Sequence, residues 1–335
     1  MATPFSSVRR WHRWWFIPLN LLALLLVLAF LWFALLQSTV SQLRDSGAPV
    51  VYADLVADSI PDAENVAAGL RDLGPTLERG GNAAADALEA LGETPYDDTG
   101  IAEARRVYDE QSTTIGELHS ILSRPQYVSL LKADEMANLF GLPTMSTARS
   151  AARLLLLEGR LALVSGDQDK AVEAALALAR LGKLYENEPI IVNRLLSCAL
   201  QNMAINLMQQ TTQTGPLPAH LSAQLDEALA SLEDRSGFQQ ALASERAHSL
   251  EIFQTMSPIV RLWEQPAVLE AYEQTISAAE KEFAKPGPGG PSPKMTSQQA
   301  LASLLLPSFE SAWDAENRIA EDAKELRERL EAASQ

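Results

Sequence analysis

Residues 158–181 read EGRLALVSGDQDKAVEAALALARL, a pattern that predicts two helices joined by a tight turn. Gly166-Asp167 provides the turn. It is followed by a stripe of mostly small residues at helical spacing, namely Ala171, Ala174, Ala175, Leu178 and Leu181. Because small residues let two helices approach closely, we expect an antiparallel helix pair here.

The chain continues the helical pattern on both sides of this pair. Leu154 to Leu157 form an unbroken apolar run, which indicates a helix covered on most of its faces, and Pro189 restarts the chain in the opposite direction. Neither sustained β-branched alternation nor an Asn-Gly hairpin signal occurs. The sequence therefore predicts an all-α protein, built as a multi-helix bundle or an irregular α-solenoid.

Glycine and proline residues divide the helical region, for example at Gly80-Gly81, Pro125 and Pro258. The predicted helices span residues 62–79, 83–92, 99–123, 126–140, 145–165, 168–186, 189–213, 219–234, 236–256 and 266–284. Residues 285–297, KPGPGGPSPKMTS, are too rich in Pro and Gly for a helix and predict a loop or linker.

A further helix is predicted after this loop, over residues 308–333. Its apolar seam, spaced alternately by three and four, consists of Phe309, Ala312, Glu316, Ile319, Ala323, Leu326 and Leu330. Such a seam either docks on the same chain or forms a coiled coil with a partner or a second copy. We favour docking in cis, because Glu316 and the two alanines weaken a coiled coil.

The helix pair also carries a family resemblance. Gly159, Gly166, Asp167 and Ala171 resemble the small-residue pattern of a tetratricopeptide repeat, over about 35 residues between 150 and 185. The closing Pro of that repeat would fall near Lys183, but the nearest one is Pro189, and no second copy follows in register. The resemblance implies a helical hairpin, and it implies peptide or protein binding, which is the usual function of the family.

Composition and charge exclude several classes of protein. At 47% hydrophobic residues, the 335-residue chain can bury a sizeable core and is not disordered, collagen-like or stapled by disulfides. It carries 27 Lys and Arg against 43 Asp and Glu, a net charge of −16. We expect no nucleic-acid partner, because phosphate binding draws its affinity from clustered basic residues.

The amino-terminal region carries a different signal. Residues 14–36, WWFIPLNLLALLLVLAFLWFALL, hold no charge, and a helix of this length extends about 34 Å, enough to cross a bilayer. Arg9, Arg10 and Arg13 precede the run, and no acidic residue lies before residue 37, so the rest of the chain carries −19. The positive-inside rule then places residues 1–13 in the cytoplasm and the remainder outside it.

Aromatic residues mark both ends of this run. Trp11, Trp14, Trp15 and Trp32 match an aromatic belt at the membrane interface. The alternative is a cleaved signal peptide, but the apolar run is too long and offers no small-x-small cleavage site. We expect a single-pass signal-anchor in a periplasm-like envelope. With this anchor, the chain also resembles uncharacterised single-pass helical proteins of bacterial envelopes, a likeness that implies no activity.

These predictions together give an order of segments. They are a basic tail at 1–13, a transmembrane helix at 14–36, a juxtamembrane linker at 37–59, a helical domain at 60–284, the Pro/Gly-rich loop at 285–297 and a C-terminal helical segment at 298–335.

Few residues in the sequence are candidates for catalysis or for binding a metal or cofactor. The four histidines show no metal-ligand spacing, and no phosphate-binding loop or nucleophile elbow occurs, so neither a metal nor a cofactor is predicted. Glu245 and His248 share a helix face, and His248 is a candidate acid or base with Glu245 as its orienting partner. The competing interpretation is a surface charge pair. Cys198, the single cysteine, is expected to be a buried, inert thiol.

Other polar residues fit structural roles better than catalysis. The acidic pairs Asp97-Asp98, Glu233-Asp234 and Asp322 with Glu325 are expected to be solvated charges, and Arg124 and Tyr127 to lie at a helix start. The leading hypothesis is therefore a membrane-anchored, extracytoplasmic binding or scaffold protein. The alternative is a membrane-tethered envelope hydrolase that uses acidic residues, with Glu245 and His248 as candidates.

Overall fold

The computed structural model describes residues 38–55, 60–92, 96–130, 143–186, 188, 191–283 and 300–333, with isolated positions between 21 and 34. Within these residues the regular elements are helices, which confirms the all-α fold, and one isolated bridge joins Asn65 to Gln126. A 3-10 turn, Tyr52–Leu55, follows the first helix. The helices are α1 (38–45), α2 (Val66–Leu91), α3 (Asp98–Leu122), α4 (Pro143–Ser165), α5 (Gln168–Tyr185), α6 (Ile191–Gln213), α7 (Ala219–Leu232), α8 (Ser236–Thr255), α9 (Pro258–Phe283) and α10 (Ala300–Ala333).

The predicted helix pair is present as α4 and α5. Gly166 turns the chain with φ of 74°, in the left-handed region, and the Asp167 carboxylate accepts the backbone N–H of Lys170 to cap α5. The small-residue stripe on α5 is fully buried, and α5 packs on both α4 and α6. Gly159 leaves room for Leu207 of α6, since a Cβ there would lie 2.4 Å from a Leu207 methyl. The pair therefore belongs to a layered bundle.

The predicted break at Gly80-Gly81 is wrong, because α2 continues through it from Val66 to Leu91. These glycines do not form a turn; they allow neighbouring helices to pack closely against α2. A Cβ on Gly81 would lie 2.5 Å from the Cα of Ser150 on α4, and one on Gly80 would meet the Gln111 side chain on α3. Glycine thus lets three helices approach each other at this level.

Two further helix boundaries differ from the prediction. Residues 126–130, the expected start of a helix over 126–140, are extended, while residues 131–142 lie outside the described part. Gln126 pairs there with the backbone beside Asn65. Helix α9 begins at Pro258, eight residues before the prediction, and contains Pro266. An interior proline removes one helical hydrogen bond, which neighbouring turns can tolerate.

The C-terminal helix α10 docks in cis. All seven seam residues from Phe309 to Leu330 are buried, and α10 packs on α6, α7 and α9. The second half of the seam joins the main core of α2 to α7, while Phe309 and Trp313 join a second core with Phe238 and Tyr272 of α8 and α9. Docking of the seam on the same chain, which the sequence analysis favoured, is therefore observed.

A small third cluster fixes α1 to the body. Val50 is buried between Leu250 of α8 and Leu269 of α9, and Val40 and Leu43 pack against the same cluster. Residues 40–50 are thus attached to the α8–α9 hairpin.

Most of the predicted anchor lies outside the described residues, as do the basic tail, the interfacial tryptophans and the 285–297 loop. The described positions from Leu21 to Ala34 are helical and exposed. Within the described part of the chain, no helix meets the length and hydropathy needed to cross a membrane.

Candidate functional site

The predicted catalytic pair lies on α8, but the two side chains have separate surroundings. The Glu245 carboxylate accepts the backbone N–H of Ile191 at 3.0 Å and so caps the start of α6. Burial raises the pKa of Glu245 and lowers the pKa of His248. His248 Nε2 is buried and has no hydrogen-bond partner among the described residues. The competing surface-pair interpretation is wrong, since both residues are buried.

Beside this pair, further polar groups lie between α8 and α9. Arg246 forms an ion pair with Glu273, and the Ser249 hydroxyl lies 2.9 Å from the Tyr272 hydroxyl. Burial holds the pKa of the Tyr272 phenol well above its ordinary value. These contacts hold one helix against its neighbour, and none of them joins Glu245 to His248.

The most buried charged side chain among the described residues lies between α6 and α10. Arg194 is 1% exposed and donates from Nε and Nη2 to both carboxylate oxygens of Glu316, the second bond measuring 2.7 Å. Its third nitrogen, Nη1, lies 3.0 Å from Glu186 at the end of α5, without the alignment of a hydrogen bond. A bidentate guanidinium–carboxylate pair is the strongest geometry for such a contact. Glu316, the residue that weakened the coiled-coil interpretation, therefore attaches α10 to α6.

Polar neighbours complete this network. Gln201 donates to Glu186 at 2.5 Å and to the hydroxyl of Ser197, which in turn donates to the Gly182 carbonyl. Cys198 donates its thiol to Glu316 at 3.2 Å, and burial raises its pKa well above the ordinary value. Cys198 is buried, as predicted, and its thiol stays protonated.

A surface cavity of about 430 Å³ opens above the Arg194 network, between the end of α5 and the start of α8. Arg180, Lys183 and Glu186 line it from the end of α5, together with Asp234 and Gln240. Gly237 lines the cavity directly over Arg194, since a Cβ there would lie 2.7 Å from Arg194 Nη1. The cavity therefore presents charges of both signs.

A second cavity of about 530 Å³ lies between α8 and residues 44–55. Arg44, Pro49 and Asp54 line it together with Gln240 and Ala243. Gln240 thus borders both cavities and is exposed. The surface of α8 around Gln240 therefore faces two cavities.

Another row of titratable groups follows α3, α4 and α5. Glu158 is buried, lies 2.7 Å from His119 Nε2 and 3.8 Å from Lys170 Nζ, and the ammonium of Lys170 contacts the Tyr108 hydroxyl and ring. The hydrogen bond with Glu158 raises the pKa of His119. This row ties three helices together.

The extended segment after α3 is attached through a second buried acid. Glu188 is 2% exposed and accepts from the hydroxyls of Tyr127 and Ser129, at 2.5 and 2.8 Å. Burial raises the pKa of Glu188. Arg124 donates to the carbonyls of Asp62 and Asn65. Tyr127 and Arg124 therefore fix an extended connection and not the helix start that the sequence predicted.

The acidic pairs have structural partners. Asp97 caps α3 through the backbone N–H of Gly100, Glu233 pairs with Arg327, and Glu325 pairs with Arg329. Within the described residues, no group of three or more His, Cys, Asp and Glu side chains is placed to hold a metal ion.

Comparison with known proteins adds no assignment: no protein-family model, no curated protein and no solved structure matches the chain.

Sequence reasoning missed the central residue, Arg194. The signal was present, because Arg194 interrupts the apolar run of α6 and Glu316 interrupts the apolar seam of α10. Two opposite charges on otherwise buried helix faces indicate a buried pair. The 122 residues between them hide the connection from any local pattern.

Proposed function

We propose that this protein is a single-pass, membrane-anchored scaffold or binding protein whose helical domain lies outside the cytoplasm. The observation that carries the proposal is the apolar surface of the amino-terminal run. Leu21, Leu24, Val27, Phe30 and Leu31 are each more than half exposed in the described structure. Water disfavours such a surface by roughly 25 cal/mol per Å², whereas the bilayer interior accommodates it.

The flanking charges support the orientation. Arg9, Arg10 and Arg13 precede the run, and the acidic excess lies entirely after it. Basic residues beside a span stay on the cytoplasmic side. The lipid bilayer is accordingly the first partner that we propose.

Scaffolding or binding is preferred to hydrolysis because the buried charges hold helices together. Arg194, Glu316, Glu188 and Glu245 each have a structural partner. The hydrolase alternative would need two carboxylates, or Glu245 and His248, to converge on one pocket. The concave surface of α8 around Gln240 is the binding surface that we propose. Self-association through residues 308–333 is less favoured, because their seam is buried in cis.

Membrane anchoring is tested by alkaline extraction of membranes that contain the full chain. The wild-type chain is expected to stay in the membrane pellet. Leu24→Arg with Val27→Arg adds two charges to the middle of the run, each disfavoured by about 2.5–3.5 kcal/mol, and is expected to release the chain. The control Leu24→Ile with Val27→Leu is expected to behave as wild type. Release of the wild-type chain would contradict the anchor.

The binding surface is tested with a photo-crosslinking amino acid at Gln240 in the full chain, and in a matched variant at the exposed Glu117 on α3. A discrete crosslinked product is expected from position 240 and not from position 117. Identical products from both positions, or none from either, would contradict a binding role for this surface.

A further inference from the structure

The α8–α9 turn carries an exposed apolar surface. We name it the tip and define it by Ile252, Ile259, Val260 and Trp263. Ile259 is 80% and Trp263 70% exposed. Outside residues 21–31, the described part of the chain exposes five large apolar side chains, and four of them belong to the tip. Such a concentration marks an interaction surface, because exposed apolar side chains are otherwise scattered singly.

The charge of the tip is also unlike the rest of the molecule. Residues 252–263, IFQTMSPIVRLW, contain no acid and one basic residue, Arg261, in a chain with a net charge of −16. Glu251 and Glu264 flank the window on either side. An apolar surface with tryptophan and arginine and without acids suits a lipid headgroup layer, whereas the remaining acidic surface does not.

Helix α1 packs on the α8–α9 hairpin close to the tip. Val40 and Leu43 pack with Val50, Leu250 and Leu269, and Leu250 lies in the second half of α8. The predicted membrane span ends at residue 36, four residues before Val40.

The distance from this cluster to the tip is short. At 1.5 Å per residue, Leu250 lies about 8 Å and Leu269 about 16 Å from the α8–α9 turn. The cluster that holds Val40 therefore lies about 8–16 Å from the turn along the two helices.

We infer that the tip rests in the headgroup layer of the bilayer and seats the helical domain on the membrane beside its anchor. This inference rests on the proposed anchor. The occupant of the tip is lipid, because the proposed anchor ends four residues before Val40, which packs beside the half of α8 that ends at the tip. The tip would act as a second, reversible membrane contact that fixes the orientation of the α8 surface.

The test uses the full chain in vesicles of phosphatidylcholine with a minor fraction of phosphatidylglycerol. A nitroxide label is placed at Ile259→Cys or, as the control, at the water-exposed Asp169→Cys, beside the α4–α5 turn, which packs on neither α8 nor α9. Because Cys198 is buried, the unmodified chain serves as the labelling blank. Two collision rates of the nitroxide are measured, one with oxygen, which concentrates in lipid, and one with a water-soluble nickel complex. The quantity compared is the ratio of the oxygen rate to the nickel rate.

We expect this ratio to be several-fold higher at position 259 than at position 169. Equal, water-like ratios in a chain that stays in the bilayer after alkaline extraction would overturn the tip inference and leave the anchor intact. Protection from both reagents at position 259 would show a protein contact, from a partner or a second copy, and would also overturn it. A wild-type chain that alkaline extraction releases would overturn the anchor and the tip together.

Discussion

The α4–α5 pair and the α6–α10 contact are held together by different interactions. Between α4 and α5 the contact is apolar and local, with alanines and leucines that are fully buried only a few residues from the turn. Between α6 and α10 the contact includes a buried ion pair across 122 residues. A local apolar contact needs only the right spacing, whereas a buried charge requires one particular partner. The ion pair therefore specifies which helix α10 meets.

The largest effect is expected from removal of the buried charge on α10. Glu316→Gln removes the carboxylate that binds Arg194 through two nitrogens and leaves Glu186 as the one remaining counter-charge described beside the buried guanidinium. We expect the free energy of unfolding to fall by about 3–5 kcal/mol. Hydrogen exchange should rise most in α10. Chemical denaturation and exchange mass spectrometry measure the two quantities.

The matched control is Glu325→Gln on the same helix. Glu325 pairs with Arg329, and both side chains are more than half exposed. Exposed pairs contribute about 0–1 kcal/mol, so this variant should stay close to wild type. Equal losses in the two variants would show that the buried pair has no special role.

Truncation of the apolar contact between α4 and α5 should raise hydrogen exchange in a different part of the molecule. Leu178→Ala on α5 removes a fully buried side chain and is expected to destabilise the fold by about 2–5 kcal/mol. Exchange should rise in α4 and α5 more than in α10. If α10 were released first, the two regions would be one cooperative unit and the comparison would be wrong.

Glycine substitutions test whether the apolar contacts depend on close approach of the helices. Gly81→Ala places a Cβ against the backbone of Ser150 and should destabilise the fold by about 1–3 kcal/mol. Gly116→Ala on α3 has open space around it and should instead stabilise the helix by about 0.5–1 kcal/mol. Thermal unfolding of both variants tests this, and a gain in stability for Gly81→Ala would contradict the close helix approach.

The smallest effects are expected from two histidines with opposite pH dependence. The bond to Glu158 raises the pKa of His119, so its stabilisation is complete below the unfolded pKa of about 6.5 and is lost as pH rises through the folded value. Burial lowers the pKa of His248, so it destabilises the fold as pH falls below about 6.5. His119→Gln and His248→Gln should therefore change the slope of stability against pH in opposite senses. If both variants changed the slope of stability against pH in the same sense, the opposite pKa shifts of the two histidines would be contradicted.

The two regions also differ in what the sequence predicts. The α4–α5 pair was predictable because its signals, Gly166-Asp167 and the alanine stripe, lie within one turn-connected unit. The break at Gly80-Gly81 was wrong because glycine marks both turns and close helix contacts, and only the facing residue, Ser150, distinguishes them. The Arg194–Glu316 pair depends on tertiary packing, which local periodicity does not encode.

The candidate site was less predictable than the fold. Glu245 and His248 do share α8, but the direction of a side chain depends on what packs against it, and Glu245 turns to the start of α6. Glu245 has a partner at the start of α6, whereas His248 Nε2 has none among the described residues, and neither environment can be read from the spacing of two residues on one helix.

The orientation of the anchored domain gives the most direct test of the proposed function. A reporter enzyme that is active only outside the cytoplasm is fused after Gln335, and a second reporter, active only in the cytoplasm, is fused at the same position for comparison. Our account predicts activity from the first fusion and none from the second. An inactive first reporter with an active second one would place the helical domain inside the cytoplasm and contradict the account.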